Sequence, residues 1–157
     1  MKPSKIVSEW LFSTLAGVFV EGATLYVPKG RSADGVLTTQ GGAVDDGKLI
    51  GYSITEGRIY PIATKEDVKS PYVTYDSITV TYEPTKDGAI PDSLSCRVLC
   101  VDRSYTAVEA LADAVEGALN NAWVDELGSC LLMRSRRSDF DPSTGEFVED
   151  LNFSITL

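Results

Sequence analysis

Gly42-Ala-Val-Asp-Asp-Gly47-Lys48 has the spacing of a phosphate-binding loop, in which backbone N–H groups cradle phosphates and the lysine reaches the outermost one. The next position breaks it: Leu49 stands where a Ser or Thr hydroxyl must hold Mg²⁺, and Asp45 and Asp46 would face the phosphates. A glycine-rich hairpin explains the stretch better. Asp139, Asp141 and Ser143, with Asp150 at the twelfth position, have the spacing of a calcium loop. Thr144 fills the sixth place, where the sharp turn needs Gly, and Pro142 stiffens the backbone wrongly. That stretch reads as a turn between strands, with solvated acids. The sequence has no histidine, which removes Ser-His-Asp and Cys-His nucleophiles, HExxH zinc sites and any histidine pH switch. No catalytic residue, cofactor site or metal site is assigned, and the expectation is a protein that is not an enzyme.

Two charged groups remain. Arg134, Arg136 and Arg137 form the basic cluster of an acidic chain. On a regular strand Arg134 and Arg136 share one face and Arg137 takes the other. The pair is read either as a solvated face paired with nearby acids or as a contact for the acids of a neighbouring subunit. Asp102, Glu109, Asp113 and Glu116 lie on or beside the polar side of a predicted helix and read as a wet face. Cys96 and Cys100, four residues apart on a predicted strand, are separated by about 13 Å at ~3.3 Å per residue. That exceeds the ~7 Å Cα limit of a disulfide. Either could meet Cys130 across neighbouring strands, but reduced core cysteines and a reducing compartment are the simpler reading.

The elements that must position these residues follow from periodicity. In 157 residues with net charge −9, from 14 basic and 23 acidic side chains, one compact domain over 1–157 is expected. Such an acidic balance repels phosphate backbones, so neither nucleic acid nor membrane is an expected partner. Lys2 and Lys5 before the apolar run from Trp10 to Val20 imitate a secretion signal, yet Glu9 and Glu21 interrupt that pattern. Ile6, Val7, Trp10, Leu11, Thr14 and Leu15 recur at helical spacing, with Ser4 as cap, and predict an amphipathic first helix. From about 17 to 57 come nine of the chain's 13 glycines among short β-prone pieces, read as a β-hairpin arm. Exposed strands invite pairing with another chain. Tyr26, Val36, Leu37, Leu49 and Ile50 of this arm, with Arg134 and Arg136, are the candidate subunit-interface residues.

Beyond the arm, Arg58 to Ile62 is extended, with Pro61 favouring a sheet edge. Tyr72 to Glu83 alternates, Pro84 to Gly88 turns, and Leu94, Cys96, Val98 and Cys100 form one face of a strand. Val108, Leu111, Ala112, Val115, Ala118 and Leu119 then make a helical stripe. Thr106 and Glu109 are spaced as a capping box, and Asn120-Asn121 ends the helix. Cys130 to Ser138 and a last strand carrying Phe147, Leu151, Phe153, Ile155 and Leu157 flank a tight turn from Asp141 to Gly145. The expected fold is α+β, a mainly antiparallel β-sheet with two helices packed on one face and a Gly-rich β-hairpin arm.

The order of these pieces resembles a known family. A first helix, then Arg58-Ile-Tyr-Pro61, Ser70-Pro-Tyr-Val-Thr-Tyr75, the strand from Cys96 to Val101, the small-residue helix from Ser104 to Val115, and Phe140-Asp-Pro-Ser-Thr-Gly-Glu-Phe147 before a closing strand are similar to the tail completion, or tail terminator, proteins of long-tailed bacteriophages and prophages. The arm is longer than that family's pattern. The resemblance implies a virion subunit, assembled in the host bacterial cytoplasm. It also implies a homo-oligomeric ring, usually a hexamer, that caps the tail tube protein and offers a surface to the head connector protein. Another ring-forming neck protein or a soluble ligand-binding domain is the alternative.

Overall fold

A computed structural model of the chain describes residues 2–21, 43–45, 48–54, 56–61 and 70–157. The first helix, α1, runs Pro3–Leu15 and buries Val7, Leu11 and Leu15, with Ile6 and Trp10 packed beside them. Its cap is Lys2 rather than Ser4, because Pro3 takes the first helical position, where a missing N–H costs nothing. The predicted stripe is right, and the helix begins two residues earlier than a Ser4 cap implies.

Three short strands follow: β1 (Phe19–Glu21), β2 (Ala43–Asp45) and β3 (Lys48–Ser53), paired antiparallel in the order β1-β3-β2. Val20, Tyr52 and Ile54 are buried in the main core, so the two ends of the glycine-rich stretch are anchored there. Lys48 opens a strand, where a phosphate-binding loop would need it to open a helix. Leu49 and Ile50 lie on β3. Tyr26, Val36 and Leu37, and with them most of the predicted arm, fall outside the described residues.

The larger sheet has six strands in the order β4-β5-β6-β9-β8-β7. They are β4 (Ile59–Pro61), β5 (Tyr72–Thr85), β6 (Gly88–Asp102), β7 (Ala122–Val124), β8 (Ser129–Asp141) and β9 (Glu146–Thr156). β4 lies at an edge, parallel to β5, which suits Pro61, and every other pairing is antiparallel. The helix α2 (Tyr105–Leu119) packs Val108, Leu111, Ala112, Val115 and Leu119 onto β6, β8 and β9, while α1 packs on β4, β5 and α2. This is the expected α+β architecture. The capping box does not form. Ser104 caps α2, accepting the Ala107 N–H at 3.4 Å, which places Thr106 inside the first turn and frees Glu109 for another partner. At the other end Asn120 accepts the Met133 N–H at 3.0 Å and the Asn121 N–H reaches the Leu131 carbonyl at 2.8 Å, tying the helix to β8.

Two features depart from plain alternation. β5 and β6 run on past the last pairing of β6 with β9, Ser93 with Thr156. Apart from the Leu157 N–H, which reaches the Asp92 carbonyl at 2.9 Å, they then pair with each other among the described residues, and residues 81–92 are exposed throughout. Their turn is Lys86-Asp87, tighter than the predicted Pro84 to Gly88, and Gly88 sits at φ +123°, where a side chain would be strained. The second is a bulge in β8: Met133 faces Phe153, but Ser135, not Arg134, faces Asn152. One extra residue reverses the phase of all that follows.

Candidate assembly surfaces

The bulge separates the two arginines expected to converge. Arg134 is the inserted residue, and its Nε donates to Ser154 Oγ on the face away from the helices. Arg136 stands opposite Leu151 on the helix-covered face. There it meets four carboxylates of its own chain: Asp113 at 2.7 Å, Glu116 at 2.9 Å, and Glu109 and Glu149 at 3.4 Å each. Three come from successive turns of α2, as i, i+4 and i+7 spacing dictates, and the fourth from β9. Glu149 is fully buried, with Ser138 Oγ donating to its Oε1 at 2.7 Å. Burial opposes the Arg136 charge, but Asp113 and Glu149 outweigh it and hold the guanidinium above its ordinary pKa. A hydrogen bond with Glu149 raises the Glu109 carboxyl, and burial adds to this. Of the acids predicted to be a wet face, Glu109, Asp113 and Glu116 close on Arg136, with Asp113 still largely exposed, and Asp102 lies apart from them. Arg136 is 17% exposed and already engaged by four acids of its own chain.

The opposite face of the sheet carries a different set. Arg97 grips Asp76 with two bonds of 2.7 Å, and that bidentate pair lowers the Asp76 carboxyl. Asp150 accepts Asn152 Nδ2 at 3.0 Å and lies 3.7 Å from Arg137. Between these charges and the turn after β8 lies a groove of about 350 Å³, lined by Leu99, Val148 and Pro142 and by the charged Arg97 and Arg137. Asp141 of the failed calcium pattern is spent on its own turn, accepting the Ser143 N–H at 2.9 Å and hydroxyl at 2.6 Å. No group of three or more Cys, Asp or Glu side chains among the described residues is arranged to hold a metal ion.

A third charged spot is internal. Asp102 ends β6 wholly buried, its Oδ1 accepting the Arg103 N–H at 2.7 Å. Burial pushes this carboxyl up to about 6, and the Glu146 charge adds to the rise. Its Oδ2 and the Tyr52 hydroxyl are buried with no hydrogen-bond partner among the described residues. Cys96 and Cys100 are buried thiols, as expected of core cysteines, and desolvation raises Cys96 to about 12. Exposed large apolar side chains gather elsewhere: Tyr82 and Ile90 on the projecting hairpin, Tyr105 and Phe140 at the far end of the sheet, and Trp123 on β7. Sequence reasoning gave none of these as a surface, since exposure depends on where β9 stops covering β6.

No protein-family model and no curated protein matches the sequence. Among solved structures, the chain is similar to one in the virion of a native gene transfer agent (GTA) particle, with a TM-score of 0.51 and 17% identity. The match covers 63% of this chain and 77% of that one. At that identity the likeness establishes a shared fold. No helix among the described residues is long and apolar enough to cross a membrane.

Proposed function

We propose that this chain is a structural protein of a phage-like virion, a subunit that closes into a ring, caps the tail tube and joins it to the head connector. The observation that carries the reading is the fold shared with a chain of the gene transfer agent virion over most of that chain's length. The order of sequence elements, which resembles tail completion proteins, supports the same role. So does the surface chemistry: the charged groups with the tightest geometry, around Arg136 and Arg97, stabilise the subunit, while a hairpin with exposed apolar residues projects from it. A ring subunit needs this kind of asymmetry, because a heterologous contact uses two different patches and closes by rotation. Six copies is the expected order, with Arg134 and the segment around Leu49 and Ile50 contributing to the contacts.

Electron microscopy of the purified protein at high concentration tests this directly. Closed rings of uniform diameter that bind purified tail tubes at one end support the reading. A monomer at every concentration overturns it. Rings that bind the head connector and ignore the tube would move the protein to a neck position.

A further inference from the structure

Resting on the ring reading, we propose that the β5–β6 hairpin of one copy seats in the open-face groove of the next, with Ile90 on the apolar floor and Glu83 paired to Arg137. The hairpin cannot contact a neighbour well through its edges. Pro84 on β5 and Pro91 on β6 each remove a backbone donor, and proline on an edge blocks strand addition. Its contacts must therefore be made by side chains. Glu83 and Ile90 are register partners, so an acid and an exposed apolar side chain share one face of the hairpin.

The groove offers the matching pair. Leu99 and Val148 supply an apolar floor, and Arg137 stands at the rim with its side chain 73% exposed. The other charges of the groove are committed within their own chain. Arg97 is locked on Asp76, Asp139 accepts the Phe140 N–H at 2.8 Å, and Asp141 holds Ser143. Asp150 has Asn152 at 3.0 Å and lies 3.7 Å from Arg137, a looser contact than the 2.7 Å bonds of Arg97. Arg137 is thus the rim cation available to an incoming acid, and the hairpin carries Glu83, Asp87 and Asp92 against the single Lys86.

Placement suits a head-to-tail contact. The register puts the hairpin turn beyond the Ser93–Thr156 end of the sheet and the groove toward the Asp141–Glu146 end. One copy can give its hairpin and receive another at the same time, which a ring demands and a two-fold dimer does not.

Charge reversal tests the contact. Arg137→Glu, Glu83→Arg, their combination, and Ile90→Asp are compared with the unmodified chain by sedimentation velocity and electron microscopy. All three substituted side chains are exposed, and the melting curves of the four variants should match that of the unmodified chain. Each single change should raise the concentration needed for rings on the order of tenfold or more, since it sets like charges together or buries a charge on the apolar floor. The double charge swap should return it close to the original. Rings of the unmodified chain that survive every single change, or a double swap no better than its parents, overturn the groove contact and leave the ring reading standing. An unmodified chain that never forms rings overturns both.

Discussion

Arg136 and Arg97 sit on the two faces of one sheet, each among carboxylates of its own chain, and they do different work. Arg136 lies under α2, its side chain 17% exposed, against four acids of which Glu149 has no contact with water. Arg97 lies on the open face at 35% exposure and holds Asp76 in a better geometry, two bonds of 2.7 Å. By distance alone Arg97 makes the stronger pair. Burial reverses the ranking, because the fully buried Glu149 carboxylate depends on its partner for the hydration it has lost, whereas the Asp76 carboxylate, 16% exposed, keeps part of its own. The covered face uses charge to fix a helix to a sheet. The open face keeps its charge at the surface.

Breaking the covered side should give the largest effect. Arg136→Ala leaves Glu149 buried beside three acids and should cost about 3–5 kcal/mol in urea unfolding at pH 7. The loss should shrink as pH falls. Glu109 is raised in the folded state by its bond to Glu149, so the stability it contributes is present at low pH and lost as pH rises through its folded value. Destabilisation in Arg136→Ala below 1 kcal/mol, or growing toward pH 5, would show that the four acids do not act through this arginine.

Asp102 sharpens the comparison, being a buried acid with no arginine clamp of this kind. Its carboxyl moves from 3.8 to about 6 on folding, so between those values the folded state holds a proton that the unfolded state has released. Stability must therefore fall as pH rises across this window, by up to about 3 kcal/mol. Asp102→Asn keeps an acceptor for the Arg103 N–H and removes the charge. Its unfolding free energy should lack that decline and exceed the parent's at pH 7 by on the order of 1–3 kcal/mol. Identical pH profiles for the two proteins would mean that Asp102 is hydrated in solution.

The same contrast shows what was legible in the sequence. Alternation gave β5, β6 and β9, and the 3.6 period gave the buried stripes of α1 and α2, because those signals come from many residues at once. Helix starts rest on one or two residues, and there Pro3 and Ser104 displaced the expected Ser4 and Thr106. The bulge at Arg134 is a single inserted residue without Gly or Pro to mark it, and it undid the convergence of Arg134 with Arg136. Glu149 left a usable signal. It falls in the buried phase of β9, between Phe147 and Leu151, and a charge in that phase requires a partner. Following it to the nearest arginine strand would have found Arg136. The projecting hairpin left none, because its exposure is set by where its neighbour ends.

The open face should give the smallest effect. A double-mutant cycle with Arg97→Ala and Asp76→Ala isolates the coupling of that pair, expected at about 0.2–1 kcal/mol despite its short bonds. The value should fall further in 0.5 M salt, on the order of a ~4–5 Å screening length, since both groups reach solvent. Its pH dependence has the opposite sign to that of Asp102. Arg97 holds the Asp76 carboxyl below its usual 3.8, so the pair contributes fully above that value and is lost as pH falls through the lower, folded one. Between pH 5 and 8 the coupling should be flat. A coupling above 2 kcal/mol that resists salt would mean that the open face is covered in the free subunit, and burial would no longer separate the two arginines.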